Sequence, residues 1–237
     1  MVDGALIGAA VGVVAATGSM AYAVRGKSSA VFGPSVYHGN PNRPSIALTF
    51  DDGPSESTPA LLDVLAAHQV TATFFMCGKN VRRCPDIARA VAAAGHEIGN
   101  HSDSHPRLHF RSPEFIYREL ALAQETIRAA TGQIPRLFRA PFGVRWFGMR
   151  SAQKRLQLLG VMWTIIGRDW RLPATQVATR VLRNAGNGAI ICLHDGRGVE
   201  QAPDIRATLD AVESVIPVLK ERGFHFETIS RILCPTN

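Results

Sequence analysis

None of the four cysteines, Cys77, Cys84, Cys192 and Cys234, pairs with another at CxxC spacing, which argues against a structural zinc ribbon. Cys77 and Cys84 could bridge locally in an oxidising compartment. Cys192, inside "AIICLHDG", reads as a buried core thiol. Aromatic residues are only 7% of the chain, so few can stack on bases or sugar rings. Trp146 and Phe147 suit sugar stacking and core packing equally, and Trp163 reads as core. Dense runs of one charge are missing too. Lys and Arg total 26 against 19 acidic residues, a balance of +7, but the excess is scattered and forms no stripe for nucleic acid. Such a surface suits water, acidic polymers or anionic headgroups. Low complexity is absent beyond the N-terminal segment.

That segment, residues 4–24, carries no charge over a length that roughly spans a bilayer. It reads as a membrane anchor, a signal peptide or an Ala/Gly-rich soluble helix. Cleavage after Ala21-Tyr22-Ala23 is conceivable, although the start holds Asp3 and no base. Arg25 and Lys27 flank its far side, where the positive-inside rule would leave the remainder in the cytoplasm. Residues 1–30 are thus read as hydrophobic segment and linker, and 31–237 as the main domain, with 31–45 an irregular lead-in.

From Ile46 onward, short apolar runs alternate with longer amphipathic ones. Strands are predicted at 46–50, 71–76, 96–100, 137–140, 160–166, 189–194 and 224–228. Helices are predicted at 58–69, 85–94, 113–131, 148–158, 174–185 and 203–222, with Thr58-Pro59 as a start and Gly95, Gly132 and Gly223 as stops. Strand followed by helix implies parallel pairing and an α/β fold, here a distorted (β/α) barrel of about seven strands. An open doubly wound sheet is the alternative. In barrels the site gathers at the C-terminal strand ends, and five strands deliver polar residues there: Asp51-Asp52, His101, Arg139, Asp169-Trp170 and His194-Asp195.

His101 and His105 stand four apart in "HSDSH", so a helical turn would put both on one face. With one carboxylate they form a three-ligand metal site that keeps an open position. His105 and His109 share the spacing, but Pro106 would disrupt a turn joining them. Successive residues of "TFDDGP" point in different directions, so one Asp can ligate while its neighbour acts as a general base. Arg139 is the guanidinium placed to hold that base ionised, and His194 the natural acid. Asp103 reads as solvated or capping rather than catalytic.

"TFDDGP", "HSDSH", "RAPFG", "RDW" and "LHD", in this order, resemble the five motifs of the polysaccharide deacetylases of carbohydrate esterase family 4, the NodB homology domain. The resemblance covers roughly residues 44–232. It implies a metal-dependent hydrolase that removes acetyl groups from N- or O-acetylated sugar polymers such as peptidoglycan or chitin oligomers. It makes Asp51 the base, Asp52, His101 and His105 the ligands of a divalent ion, most commonly Zn2+, and His194 the acid. Arg139 would brace the base and Asp169 tune the acid. Trp170 and Leu193 would wall the acetyl methyl, and the backbone at Phe142 would face the oxyanion. Two positions depart from the pattern: Phe142 replaces the usual Tyr, and Ile166 stands where an Asp is usual. A carbohydrate partner and an extracytoplasmic place, anchored through 4–24 or secreted, follow from the resemblance. The charge flanks of that segment point the other way. Three other readings stay open: an amidase of the same fold acting on a cyclic amide or ureide, a two-His-one-carboxylate iron oxygenase, and a silent sugar-binding module.

Overall fold

The computed structural model describes residues 17–234, and the strand that leads into Asp51 organises it. The strands are β1 (Ser35–Val36), β2 (Ser45–Gly53), β3 (Thr73–Met76), β4 (Glu97–Asn100), β5 (Leu137–Phe138), β6 (Leu159–Val161), β7 (Ile165–Ile166), β8 (Ile190–His194) and β9 (His225–Phe226). They run in the order β1–β6–β5–β4–β3–β2–β8–β7, with β9 on the first residues of β2, and every pairing is parallel. β2 is buried along its whole length between β3 and β8. β6 and β7 lie on opposite arms of this order, yet only residues 162–164 separate them. Four Cα steps reach at most about 14 Å, so the sheet must curl until its arms nearly meet. The expected barrel is present.

The single strand expected over 160–166 is therefore two. The chain leaves β6 with Met162 N–H on the Val36 carbonyl and joins β8 with Thr164 N–H on the Ile190 carbonyl. β1, in the lead-in read as irregular, is the other strand the pattern missed. Helices α2 (Thr58–Ala67), α4 (Pro85–Ala93), α5 (Pro113–Thr131), α6 (Met149–Leu156), α7 (Ala174–Asn184) and α8 (Arg206–Glu221) stand where they were expected. α3 (Gly78–Arg83) and α9 (Ile229–Leu233) are too short to show a period. α5 displays the local logic: Ser112 Oγ accepts the Phe115 N–H at 3.2 Å, Pro113 opens the first turn, and Gly132 closes the last at φ 73°.

Alternation along the strands sorts the side chains into two faces. Ile46, Leu48 and Phe50 of β2 point outward, into a cluster with Phe74, Ile191, Leu193 and the helical residues Leu61, Val177 and Leu219. Ala47 points inward with Phe75, Leu137, Val161 and Ile190, and α9 closes that end with Ile229 and Ile232. At roughly 1.5–3 kcal/mol for each fully buried large apolar side chain, the outer layer supplies the stability. The inner row is thereby free to continue upward in polar residues.

Helix α1 (residues 17–25) and the turn after it are bound to this domain. Ala23 packs with Phe32, Leu108 and Phe138; Arg145 donates to the Gly26 and Ser29 carbonyls, and Lys27 to the Thr164 carbonyl. Most of segment 4–24 lies outside the described residues. Among those described, no helix is long and apolar enough to cross a membrane. All four cysteines are free: Cys77 faces the His101 carbonyl and Cys84 faces Glu56.

His96 marks a pH limit on the fold. Its Nδ1 accepts the Ala72 N–H at 3.2 Å, its ring lies against Phe74, and burial pushes its pKa down to about 4. The folded state binds this proton less readily than the unfolded chain, so stability present at neutral pH is lost as pH falls from about 6.5 towards 4. His96→Gln should flatten the pH dependence of urea unfolding in that window by up to about 1.4 kcal/mol per pH unit. An unchanged slope would place the limit elsewhere.

Candidate active site

The register of β2 against β8 builds the first half of the site. Ala47 lies opposite Ile190, Thr49 opposite Cys192 and Asp51 opposite His194, so the inner row climbs from apolar to titratable residues. Asp51 is buried. Arg139, one inward step beyond Leu137 of β5, donates Nη1 to Asp51 Oδ1 and to Thr49 Oγ1, both at 2.7 Å. Its Nε reaches the Val161 carbonyl and its Nη2 the Met162 carbonyl, each at 3.2 Å, while Phe75 stacks beneath at 4.2 Å. Cys192 Sγ donates to the other carboxylate oxygen, Oδ2, at 3.4 Å. Burial, reinforced by Asp51, holds this thiol well above its usual pKa, so it stays a donor. Asp51, Cys192 and His194 have metal-like spacing, but Arg139 already neutralises Asp51 and the thiol keeps its proton.

Strict alternation would aim Asp52 outward, into the apolar layer. It does not go there. The pairing with β3 skips from Asp51 to Gly53, and Asp52 takes φ 72°, a left-handed bulge that swings its carboxylate to the barrel rim. The Gly198 N–H holds Oδ2 at 2.8 Å, and Asn80 Nδ2 holds the Asp52 carbonyl at 2.7 Å. Asp195 lies directly under the turn, where a Cβ on Gly53 would collide with its carboxylate. Thr58 Oγ1 donates to Asp195 Oδ2 at 2.6 Å, and burial lifts this acid to about pKa 7.

Asp52 Oδ1 faces His101 Nε2 at 3.2 Å and His105 Nε2 at 2.9 Å, yet this buried oxygen accepts no hydrogen bond. His101 donates its Nδ1–H to the Arg139 carbonyl at 2.7 Å, so the neutral ring presents the Nε2 lone pair to the carboxylate. Lone pairs converging on one point are what a cation satisfies. The donor atoms of all three residues lie within 4.8 Å of one another, and the set fits a divalent metal. His101 and His105 converge without the expected helical turn. Residues 101–108 form a loop with Ser102 and His105 in left-handed conformations. His109 is not part of the group.

The loop keeps its shape through clamps. Asp103, expected to be solvated or capping, is buried and forms a two-point pair with Arg82 of α3 at 2.7 and 2.8 Å. Glu119 of α5 accepts the Asp103 and Ser104 N–H groups. On the opposite wall, Asp169 Oδ1 meets His194 Nδ1 at 3.0 Å, and Oδ2 accepts from the His194 N–H and Thr208 Oγ1. Burial disfavours charge on both partners, yet each stabilises the other: Asp169 is lowered and His194 rises to about pKa 9. His194 is therefore an imidazolium at neutral pH with Nε2 free for a substrate.

These groups open into a cavity of about 630 Å³, whose walls include Phe142, Trp163, Ile166, Trp170, Cys192 and three arginines, Arg25, Arg168 and Arg197. Trp170 stands edge-on to the His194 ring at 4.9 Å. Phe142, at φ 58°, packs on His105, and its N–H has no partner among the described residues. Leu193 is a correction. It lies in the outer core cluster with Leu48 and Val177, because alternation in β8 turns Cys192 and His194 inward and Leu193 out. The same parity in "AIICLHD" could have placed Cys192 in the site. Trp163, read as core, sits at the β6–β7 crossing and lines the cavity. Trp146 is packed on the Phe138 cluster, and Phe147 is exposed beside it rather than in the cavity.

A family model described as polysaccharide deacetylase matches residues 38–161. The chain is 36% identical over 197 residues to a chitooligosaccharide deacetylase of Bradyrhizobium sp. (strain ANU 289), which covers 79% of this chain and 90% of that protein. It is 33% identical over 196 residues to a peptidoglycan-N-acetylglucosamine deacetylase of Bacillus cereus, covering 82% and 70%. Among solved structures, a peptidoglycan N-acetylglucosamine deacetylase superposes with TM-score 0.79 at 31% identity, over 84% of this chain and 92% of that one. A CE4 family pseudoenzyme from Bacillus anthracis superposes nearly as well, with TM-score 0.77 at 30% identity over 86% and 70%. The chain belongs to the polysaccharide deacetylase family and is a hydrolase of that class. Since a pseudoenzyme shares the fold, the chemistry has to be argued from the residues.

The Arg82–Asp103 clamp carries a direct test. Arg82 is half-exposed, so Arg82→Ala should leave folding nearly intact while Zn2+ affinity, read by competition with a chelating dye, falls on the order of ten- to a hundredfold. Unchanged affinity would mean that the histidine loop holds its geometry without the clamp.

Proposed function

We propose that this protein removes acetyl groups from N-acetylated sugar polymers of the peptidoglycan or chitin type. The observation that carries the reading is the separation of Asp51 and Asp52, one bound to a guanidinium and the other facing the ring nitrogens of two histidines. Asp52, His101 and His105 would hold a divalent ion, for which Zn2+ is the natural fit, and such an ion would supply an activated water and Lewis-acid polarisation of the acetyl carbonyl. Asp51, hydrogen-bonded to the Arg139 guanidinium, would accept the proton of the attacking water as the water oxygen bonds to the carbonyl carbon. The Phe142 N–H, which has no partner among the described residues, would donate to the developing oxyanion. His194 donates its Nε2 proton to the nitrogen as the C–N bond breaks, and Asp169 steadies the imidazole. The products are acetate and a free amine.

Two observations favour a polymer over the small cyclic substrate of an amidase. Trp170 and Arg197 also line an adjoining open groove of about 620 Å³, so a chain can continue beyond the cavity. All three metal ligands are present as well. Ile166 leaves one wall apolar at the cavity. An iron oxygenase would have no use for the Asp51–Arg139 pair. Since wall and chitin polymers lie outside the membrane, we place the domain there.

Acetate released from peptidoglycan, chitin oligomers and acetylxylan, each with and without chelator, tests the proposal. Chelator-sensitive release from the N-acetylated polymers without oxygen uptake is expected; oxygen consumption with Fe2+ would favour the oxygenase. His194→Ala should slow amide cleavage far more than hydrolysis of an activated aryl acetate, whose leaving group needs no proton. Equal losses on both would refute the acid role.

A further inference from the structure

We propose that Arg25, Arg168 and Arg197 form an anion subsite in the active-site cavity that selects acetylated glycans carrying a carboxylate or phosphate near the acetylated sugar. The inference rests on the deacetylase reading and names the substrate class within it. The three arginines reach one cavity from separate places: the end of α1, the turn after β7 and the loop after β8. Arg25 and Arg168 are exposed and have no side-chain partner among the described residues. Arg197 donates to the Gly196 carbonyl at 2.8 Å and to the Asp169 carbonyl at 3.3 Å, which fixes its guanidinium in the wall.

Neither acid in the cavity lining pairs with them. Asp51 and Asp52 are the carboxylates in its lining; Arg139 pairs the first and the imidazoles face the second. Asp169, behind the wall, is bound to His194 and lies 3.9 Å from Arg197. The concave surface is therefore net positive, and such a surface concentrates anions. Forked guanidinium donors match carboxylate and phosphate oxygens.

The backbone carrying these side chains is held in place. Arg168 takes φ 60°, a left-handed conformation that residues other than glycine rarely adopt. The Arg171 and Leu172 N–H groups lock it by bonding its carbonyl at 3.0 and 2.9 Å. Arg25 is carried by the docked turn that Arg145 and Lys27 tie to the barrel, so α1 supplies part of the substrate cavity.

The test uses the full chain loaded with Zn2+ and four tetrasaccharides: chitotetraose, its 6-phosphate, an alternating N-acetylglucosamine–N-acetylmuramic acid oligomer with free carboxylates, and the methyl ester of that oligomer. Wild type should show higher kcat/KM on a charged oligomer than on its uncharged counterpart, with a ratio that shrinks as salt rises. The charged oligomer with the larger gain identifies the anion. In the Arg25→Ala/Arg168→Ala variant this ratio should fall on the order of tenfold, chiefly through KM. Equal rates on charged and uncharged oligomers in wild type, or equal losses on all four in the variant, would overturn the subsite. Absence of acetate from every oligomer would instead overturn the deacetylase reading, so the two failures are distinct.

Discussion

The buried guanidinium of Arg139 is the interaction on which the rest of this site depends. It neutralises Asp51 in the barrel interior, binds the Val161 and Met162 carbonyls where the chain leaves β6, and stacks on Phe75. Its own carbonyl fixes the His101 tautomer that turns Nε2 towards Asp52. One residue thus orients the base, braces the gap in the barrel and aims a metal ligand. Removing one member of a buried ion pair costs about 3–5 kcal/mol, since the other is left as a bare charge. Lysine could not replace it, because a single ammonium cannot reach these acceptors in the planar geometry the guanidinium uses.

Backbone strain is concentrated around the same rim. Asp52, Ser102, His105, Phe142 and Arg168 all take positive φ, and four of them line the cavity. Such conformations persist only where the surroundings impose them. Here the outer cluster of Ile46, Leu48, Phe50, Phe74 and the helices provides that rigidity, and Asp52, Ser102 and Arg168 are each held by hydrogen bonds such as Gly198 N–H on Asp52. The strain bends side chains that a regular strand or helix would point elsewhere. A divalent charge at the three-residue cluster would complete the balance that the protein alone leaves open at Asp52 Oδ1.

Much of this was legible in the sequence, because alternating strands and helices and the polar residues at five strand ends carry the barrel and its rim. What escaped has identifiable physical causes. The 160–166 run looks continuous, yet it serves two strands, since hydrophobicity does not reveal which neighbour a strand pairs with. His101 and His105 have helical spacing, but a loop clamped by Arg82 and Glu119 brings them together, and long-range clamps leave no local pattern. The motif resemblance points to Leu193, but the alternation that turns His194 inward also turns Leu193 out and Cys192 in. Arg25 lies at the end of a segment whose apolar composition suggested a membrane, and only its docking places it at the cavity.

The central claim is a division of labour between neighbouring carboxylates, and metal content set against turnover tests it most directly. Bound Zn2+ and acetate release should be measured on Asp51→Asn and Asp52→Asn proteins. The account predicts one ion per chain and no turnover in the first variant, and loss of both in the second. An Asp51→Asn protein that had also lost its metal, or an Asp52→Asn protein that kept it, would contradict the account.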